Sequence, residues 1–121
     1  MKPIKITVFA FIVGGTSVFT QCKKEEVKLF DCAGTAASYA TNVKTILDNN
    51  CATAGCHNAS SRRAGYDLSS YAASVTSGGD KAFLGSIQHI SGYSPMPDGG
   101  AKLSEADVKT LSCWVQNGMP Q

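Results

Sequence analysis

The sequence predicts a small all-α protein, with four or five short helices joined by long loops. Apolar residues recur at helical spacing in four separate segments of the chain. No segment shows the sustained alternation of apolar and polar residues that a half-buried strand requires. Glycine and proline are concentrated between the periodic segments, where they interrupt regular structure. A chain of 121 residues has room for one such domain.

The first two helices are predicted over residues 38–50 and 68–76. The first has four apolar residues at helical spacing, and two asparagines end it. The second has Tyr71 and Val75 four residues apart, and it ends before the pair Gly78 and Gly79. The polar, glycine-containing segment 58–67 between them is predicted to be a loop.

The last two helices are predicted over residues 81–90 and from Ser104 to the stop signal at Gly118. Asp80 precedes the third helix as a candidate cap, and this helix has an apolar face formed by Phe83, Leu84 and Ile87. Asp107 follows Ser104 by three residues, as in a capping box. Residues 92–102 contain two prolines and three glycines, so they are predicted to be a loop.

Residues 1–21 have the pattern of a signal peptide, which predicts an exported protein. Lys2 and Lys5 provide a basic start, and residues 6–19 are largely apolar. These 14 residues are too few to cross a bilayer as a helix, which needs about 20. Without this segment the chain has nine basic and nine acidic residues. Such a balanced charge gives no field for steering a partner and argues against nucleic acid binding.

Cys22 directly follows the apolar segment and precedes the charged residues Lys-Lys-Glu-Glu. This arrangement resembles a bacterial lipoprotein, in which the first mature residue is a lipidated cysteine. The residues before it, Phe19-Thr20-Gln21, differ from the usual cleavage sequence, and an ordinary secreted protein is the alternative. Under the lipoprotein interpretation, residues 22–35 form a lipid-anchored tether, whose charged part, residues 23–31, is expected to be mobile, and residues 36–121 form the domain.

The chemistry is concentrated in Cys51-Ala-Thr-Ala-Gly-Cys56-His57. Two thiols followed directly by histidine mark covalent c-type haem attachment, here with four intervening residues instead of two. Cys51 and Cys56 could each add to a haem vinyl group, and the His57 imidazole could bind the iron. One alternative is a small disulfide between the two cysteines. Another is a zinc site, for which His89 is the remaining histidine.

The motif and the segments after it resemble the c-type cytochromes, in the wider-spaced form known from small single-haem lipoprotein cytochromes. Ser94-Pro95-Met96-Pro97 begins 37 residues after His57, and a tryptophan-containing helix ends the chain. Class I cytochromes c have the same order of proximal histidine, methionine loop and C-terminal helix. The resemblance covers residues 36–121 and implies a cytochrome c-like fold, in which the helices and long loops wrap one covalent haem c.

The resemblance implies His57 as one axial ligand of the haem iron and Met96 as the other. His89, Met119 or an open position are the alternatives to Met96. Arg62 and Arg63 could pair with the haem propionates or be solvated loop charges. Four residues are candidate walls of the haem pocket, or else core residues: Tyr66, Leu68, Leu84 and Trp114.

The resemblance also assigns the remaining cysteines. If Cys22 carries lipid and the motif cysteines carry haem, then Cys32 and Cys113 remain to pair in an oxidising compartment. Cys113 falls opposite the apolar face of the last helix. An extended N-terminal segment carrying Cys32 could cross the outside of that helix and be bonded there.

The expected function is electron transfer by an exported, membrane-anchored carrier or redox module that serves redox partner proteins. The chain shows no catalytic triad, no paired acids in a helix and no phosphate-binding loop. Two alternatives stay open. One is a haem sensor or peroxidase-like enzyme with an open sixth position, and the other is a haem-free disulfide or zinc-binding lipoprotein.

Overall fold

The structure is a computed structural model, and it describes residues 25–121. The predicted signal peptide, residues 1–21, and the predicted lipidation site Cys22 lie outside the described residues. The described part consists of helices and loops without a strand, so the predicted all-α class is confirmed for it. None of the helices in this part is long and apolar enough to span a bilayer.

Residues 25–121 contain four α-helices and two short helical turns. A π-helical turn, Tyr39–Val43, continues directly into the first helix, and a 3₁₀ turn, Arg63–Gly65, lies in the loop after that helix. The helices are α1 (Lys44–Asn50), α2 (Tyr71–Gly78), α3 (Lys81–Gln88) and α4 (Glu105–Gln116).

The helix starts are set by capping side chains. Ser38, Asp80 and Ser104 each accept a hydrogen bond from a backbone N–H two or three residues ahead. The caps predicted at Asp80 and Ser104 are thus confirmed, whereas Ser38 was predicted as the first residue of its helix and is its cap. The predicted start of the second helix at residue 68 is wrong, because Ser70 is the cap and α2 begins after it. The third helix ends at Gln88, two residues earlier than predicted, because His89 adopts a left-handed conformation with φ of 59°.

The hydrophobic core lies between the first helical segment and α4. Val43, Leu47, Leu111 and Trp114 have no exposed surface. The indole N–H of Trp114 donates to the carbonyl oxygen of Pro120 at 2.8 Å. This bond satisfies the polar atom of the largest core side chain, and burial of such a side chain favours the folded state by about 1.5–3 kcal/mol.

The C-terminal tail is held against this core. The carbonyl oxygen of Pro120 also accepts the backbone N–H of Tyr39 at 2.9 Å, and that of Met119 accepts the Tyr71 hydroxyl at 3.0 Å. The Met119 side chain packs beside Gly78, where an added Cβ would lie 3.1 Å from its sulfur. The tail therefore closes the side of the core formed by α2 and the π-helical turn.

Residues 25–32, here named the N-terminal strap, lie extended across α3 and α4. The Gln88 side chain binds both backbone groups of Lys28, at 2.7 and 3.0 Å. The Gln116 side chain binds both backbone groups of Phe30, both at 3.0 Å. The segment predicted as a mobile tether is therefore attached to the domain, because two glutamine side-chain amides bond to its backbone as a neighbouring strand would. The backbone N–H of Ser91 also donates to the Glu25 carboxylate at 3.2 Å.

The strap ends at the predicted cysteine pair. The sulfur atoms of Cys32 and Cys113 lie 2.10 Å apart, which is the distance of a disulfide bond. Cys113 has no exposed surface. The strap thus covers the side of α4 that is opposite its apolar face, and the bond closes a sequence separation of 81 residues.

Candidate functional site

The predicted site residues meet at one cavity. Cys51, Cys56 and His57 line it from the loop after α1, and Met96 lines it from the loop before α4. Helix α3 forms the floor between these two loops. Residues 39 positions apart in the sequence, His57 and Met96, are therefore brought to the same space.

The cavity is lined largely by apolar side chains and is open on one side. Its volume is about 230 Å³, whereas sites for drug-sized ligands measure about 300–1,000 Å³. An occupant larger than the cavity would therefore extend to the solvent. The apolar lining consists of Ala64, Leu68, Ala82, Phe83, Ile87 and Pro97.

The wide spacing of the cysteine motif is accommodated by an exposed turn. The backbone N–H of His57 donates to the carbonyl oxygen of Cys51 at 3.0 Å, so the two ends of the motif are held together. Residues 53–55 between them are exposed. Gly55 has φ of 79°, a conformation that glycine adopts without steric cost. These three residues thus bulge outward, Ala52 stays packed against the core, and both thiols are left at the cavity.

His57 is buried, with 9% of its surface exposed. Its Nδ1 lies 3.4 Å from the carbonyl oxygen of Tyr66. A carbonyl oxygen only accepts, so this contact places the proton on Nδ1 and leaves the lone pair on Nε2. That tautomer is the one in which Nε2 can bind a metal ion.

Tyr66 is in turn fixed by the cap of α3. Its hydroxyl donates to Oδ2 of Asp80 at 2.6 Å. This bond holds the pKa of Asp80 below its usual range, helped by the backbone N–H of Ala82, and raises the pKa of Tyr66. The Tyr66 ring meets the imidazole edge-on, with 6.1 Å between the ring centres. Asp80 therefore connects the start of α3 to the residue that orients His57.

Cys51 and Cys56 are both partly buried, and neither takes part in a disulfide among the described residues. Burial, with a smaller contribution from Cys56, raises the pKa of the Cys51 thiol to about 11. Cys51 is therefore a protonated thiol at neutral pH in this structure. The predicted disulfide alternative for this pair is not formed in the structure.

The cavity mouth is crossed by an ion pair. Nη2 of Arg63 lies 2.8 Å from Oδ2 of Asp98, and both residues line the cavity. Arg62 does not line it, and its Nε lies 3.6 Å from Oδ2 of Asp67. Of the two arginines considered for the haem propionates, Arg63 is therefore the one at the site.

The structure separates the predicted wall residues into two groups. Tyr66 and Leu68 line the cavity, whereas Leu84 and Trp114 do not. Trp114 belongs to the core, where its ring lies 6.3 Å from that of Tyr39. Of the two alternatives stated for Trp114, the structure therefore favours the core residue, because the apolar face of α4 packs on the first helical segment.

The two alternative axial ligands also lie elsewhere. Met119 packs against Gly78 and the core, and His89 is not among the residues at the cavity. Nε2 of His89 lies 2.9 Å from the carbonyl oxygen of Met96. His89 thus contacts the backbone of the methionine loop.

Three relevant residues were not assigned to the site by sequence reasoning: Asp80, Asp98 and Phe83. Phe83 and Ile87 lie four residues apart, so the periodicity of α3 marks them as one face, but it does not tell whether that face covers a core or a cavity. The contacts of Asp80 and Asp98 join separate loops, and no local pattern in the sequence indicates them.

The chemistry of the side chains at the cavity fits a c-type haem. Two thiols and an imidazole with a free Nε2 meet in an apolar space, and these are the groups that attach and ligate such a haem. The Met96 thioether at the same cavity is a suitable sixth ligand. Within residues 25–121, no group of three or more His, Cys, Asp or Glu side chains is arranged to hold a metal ion by itself.

No protein-family model, curated protein or solved structure matches this chain. The cytochrome resemblance therefore depends on the residues of the motif, the methionine loop and the cavity that they share.

Proposed function

We propose that this protein is an exported electron carrier with one covalent haem c, attached through Cys51 and Cys56. The observation that carries the proposal is the convergence of both thiols, His57 and Met96 on one apolar cavity. The methionine is contributed by a distant loop, so the convergence is a property of the fold and not of the motif alone.

Each residue at the cavity has a distinct part in the proposal. Cys51 and Cys56 would form the thioether bonds, and Nε2 of His57 would bind the iron while its Nδ1 is held by the Tyr66 carbonyl group. The Met96 thioether would occupy the sixth position. A haem with His and Met ligands supplies one-electron transfer at a raised reduction potential.

The surrounding residues favour a carrier over an enzyme. A filled sixth position leaves no iron site for a substrate, and the apolar walls exclude water from the inner part of the cavity. The open side allows an electron to pass to redox partner proteins at an exposed edge. Arg63 at the mouth is placed to pair with a propionate, in exchange for its present partner Asp98.

The zinc alternative has less support. Within residues 25–121, no three His, Cys, Asp or Glu side chains are arranged to hold a metal ion. A zinc site would also need a further ligand, and the ring of His89 faces the Met96 carbonyl group. These contacts favour the haem proposal over a zinc-binding lipoprotein.

The test is haem retention in the protein expressed with a c-type haem attachment system. The wild type should keep one haem per chain after acid-acetone extraction, as measured by intact mass. Cys51→Ser and Cys56→Ser should each leave one thioether, and the double variant should lose all colour to the organic phase. Thr53→Ser, at the exposed turn between them, is the matched control and should behave as the wild type. Loss of all colour from the wild type would refute covalent attachment.

We further propose that Cys22 carries a lipid that anchors the protein to a membrane. Glu25 is already attached to the domain through a bond from the Ser91 N–H to its carboxylate at 3.2 Å. Three residues span at most about 11 Å, so the anchor would hold the domain close to the bilayer. Cys22→Ser should move the protein from the membrane fraction to the soluble fraction. A wild type that is already soluble would refute the anchor.

A further inference from the structure

His89 occupies an unusual position at the end of α3. Its φ of 59° is left-handed, a conformation that glycine most often provides at the end of a helix. The conformation turns the histidine toward the next loop, and Nε2 comes within 2.9 Å of the Met96 carbonyl oxygen. Because the carbonyl accepts, Nε2 carries the proton in this contact.

Both backbone groups of Met96 are bound to the last turn of α3. Its N–H donates to the carbonyl oxygen of Ser86 at 3.1 Å, and its carbonyl group accepts from His89. The Tyr93 ring lies over Gly85 in the same turn, where an added Cβ would come within 2.4 Å of the ring. Residues 94 and 95 and residues 98–102 of the loop are exposed. The loop is also held by Lys102, whose Nζ donates to the Gln88 carbonyl oxygen at 2.8 Å, and by the ion pair of Asp98. Met96 itself is bound to the helix through its two backbone groups.

We propose that His89 is a positioning residue for Met96. Its ring holds the Met96 backbone so that the thioether lies at the cavity that contains His57. The inference rests on the proposed function, in which Met96 binds the haem iron. It assigns His89 a role other than the axial ligand that the sequence allowed, since its Nε2 is used by a carbonyl group.

Two substitutions of His89 distinguish its hydrogen bond to Met96 from a general effect on the end of α3. His89→Gln can place an amide N–H near the position of Nε2, whereas His89→Asn reaches only the position of Nδ1. Asparagine tolerates the left-handed conformation, so His89→Asn removes the contact without adding backbone strain. Met96→Ala serves as the reference for complete loss of the thioether.

The first readout needs no haem. The Met96 N–H, which is bonded to Ser86, exchanges when the loop opens, and the bond from His89 to the Met96 carbonyl group opposes this opening. Hydrogen exchange of this amide, followed in the full chain, should therefore be about two- to tenfold faster in His89→Asn, as expected for the loss of that one hydrogen bond. His89→Gln should exchange like the wild type. If His89→Asn leaves the exchange of Met96 unchanged, the proposal is wrong, whether or not the protein binds haem.

The second readout is the near-infrared band of sulfur-to-iron charge transfer in the oxidised haem protein. The band should be present in the wild type and in His89→Gln, weakened in His89→Asn and absent in Met96→Ala. Carbon monoxide should bind weakly to the reduced wild type and to His89→Gln, more strongly to His89→Asn and most strongly to Met96→Ala. A band that survives in Met96→Ala, or that is absent in the haem-loaded wild type, would overturn the role of His89. A chain that takes up no haem would refute the proposed function, and the amide exchange would then decide alone whether His89 holds the loop.

Discussion

The core and the cavity of this protein are stabilised in different ways. In the core, four side chains without exposed surface pack between the first helical segment and α4, and the C-terminal tail and a disulfide-linked strap enclose them. At the cavity, two loops are held to the ends of α3 by individual hydrogen bonds and to each other by an exposed ion pair. The two regions share Leu68, Phe83 and Ile87, which belong to the buried cluster and also line the cavity. Cys56, His57 and Met96, which are proposed to hold the haem, lie outside that cluster. Substitutions of these three residues, or of core residues away from the cavity, should therefore each affect mainly one region.

The largest expected effect is that of Trp114→Ala in the core. Removing a fully buried tryptophan leaves a void and should lower the free energy of unfolding by about 3–5 kcal/mol. It also leaves the Pro120 carbonyl group without the indole N–H. Urea unfolding followed by circular dichroism measures the change. The comparison variant is Tyr66→Ala at the cavity, which is partly exposed and should cost clearly less. Equal losses in the two variants would show that the cavity contributes to stability as much as the core does.

The next largest effect is expected from the disulfide bond between Cys32 in the N-terminal strap and Cys113 in α4. Cys32→Ala removes the bond, and the free energy of unfolding should fall by about 2–5 kcal/mol, because the open chain gains conformational entropy when unfolded. Thermal unfolding under non-reducing conditions measures the loss. Cys113 stays buried as a thiol in this variant, so the loss reports the bond and not the packing of α4. An unfolding temperature equal to that of the wild type would mean that Gln88 and Gln116 alone hold the strap.

Much of the helical part was predictable from local signals. Ser38, Asp80 and Ser104 precede apolar residues at helical spacing, and each caps a helix in the structure. The end of α3 was not predictable in this way, because a left-handed histidine takes the place that a glycine usually occupies. The docking of the strap depends on two glutamine side chains on different helices, and such tertiary contacts leave no local pattern.

The cavity was predictable in its chemistry but not in its walls. The residues Cys51, Cys56, His57 and Met96 carry distinctive chemical groups, so the sequence alone could select them. Trp114 was a candidate for the pocket wall or for the core, because helical spacing marks an apolar face but does not show whether a cofactor or another helix covers it.

The smallest expected effect is that of the ion pair across the cavity mouth. Arg63 and Asp98 are each 55% exposed, and their contact joins the two loops. Exposed pairs of this kind contribute about 0.2–1 kcal/mol in double-mutant cycles, because water screens the charges and two flexible side chains are ordered. Urea unfolding of Arg63→Ala, Asp98→Ala and the double variant should give a coupling in this range at low salt. The coupling should decrease in 1 M salt, where the Debye length is about 3 Å.

Lys44 and Asp48, an exposed pair within α1, form the matched control, whose removal should have a similarly small effect. A coupling above about 2 kcal/mol for Arg63 and Asp98 alone would contradict the contrast between core and cavity, because the cavity loops would then be a main source of stability.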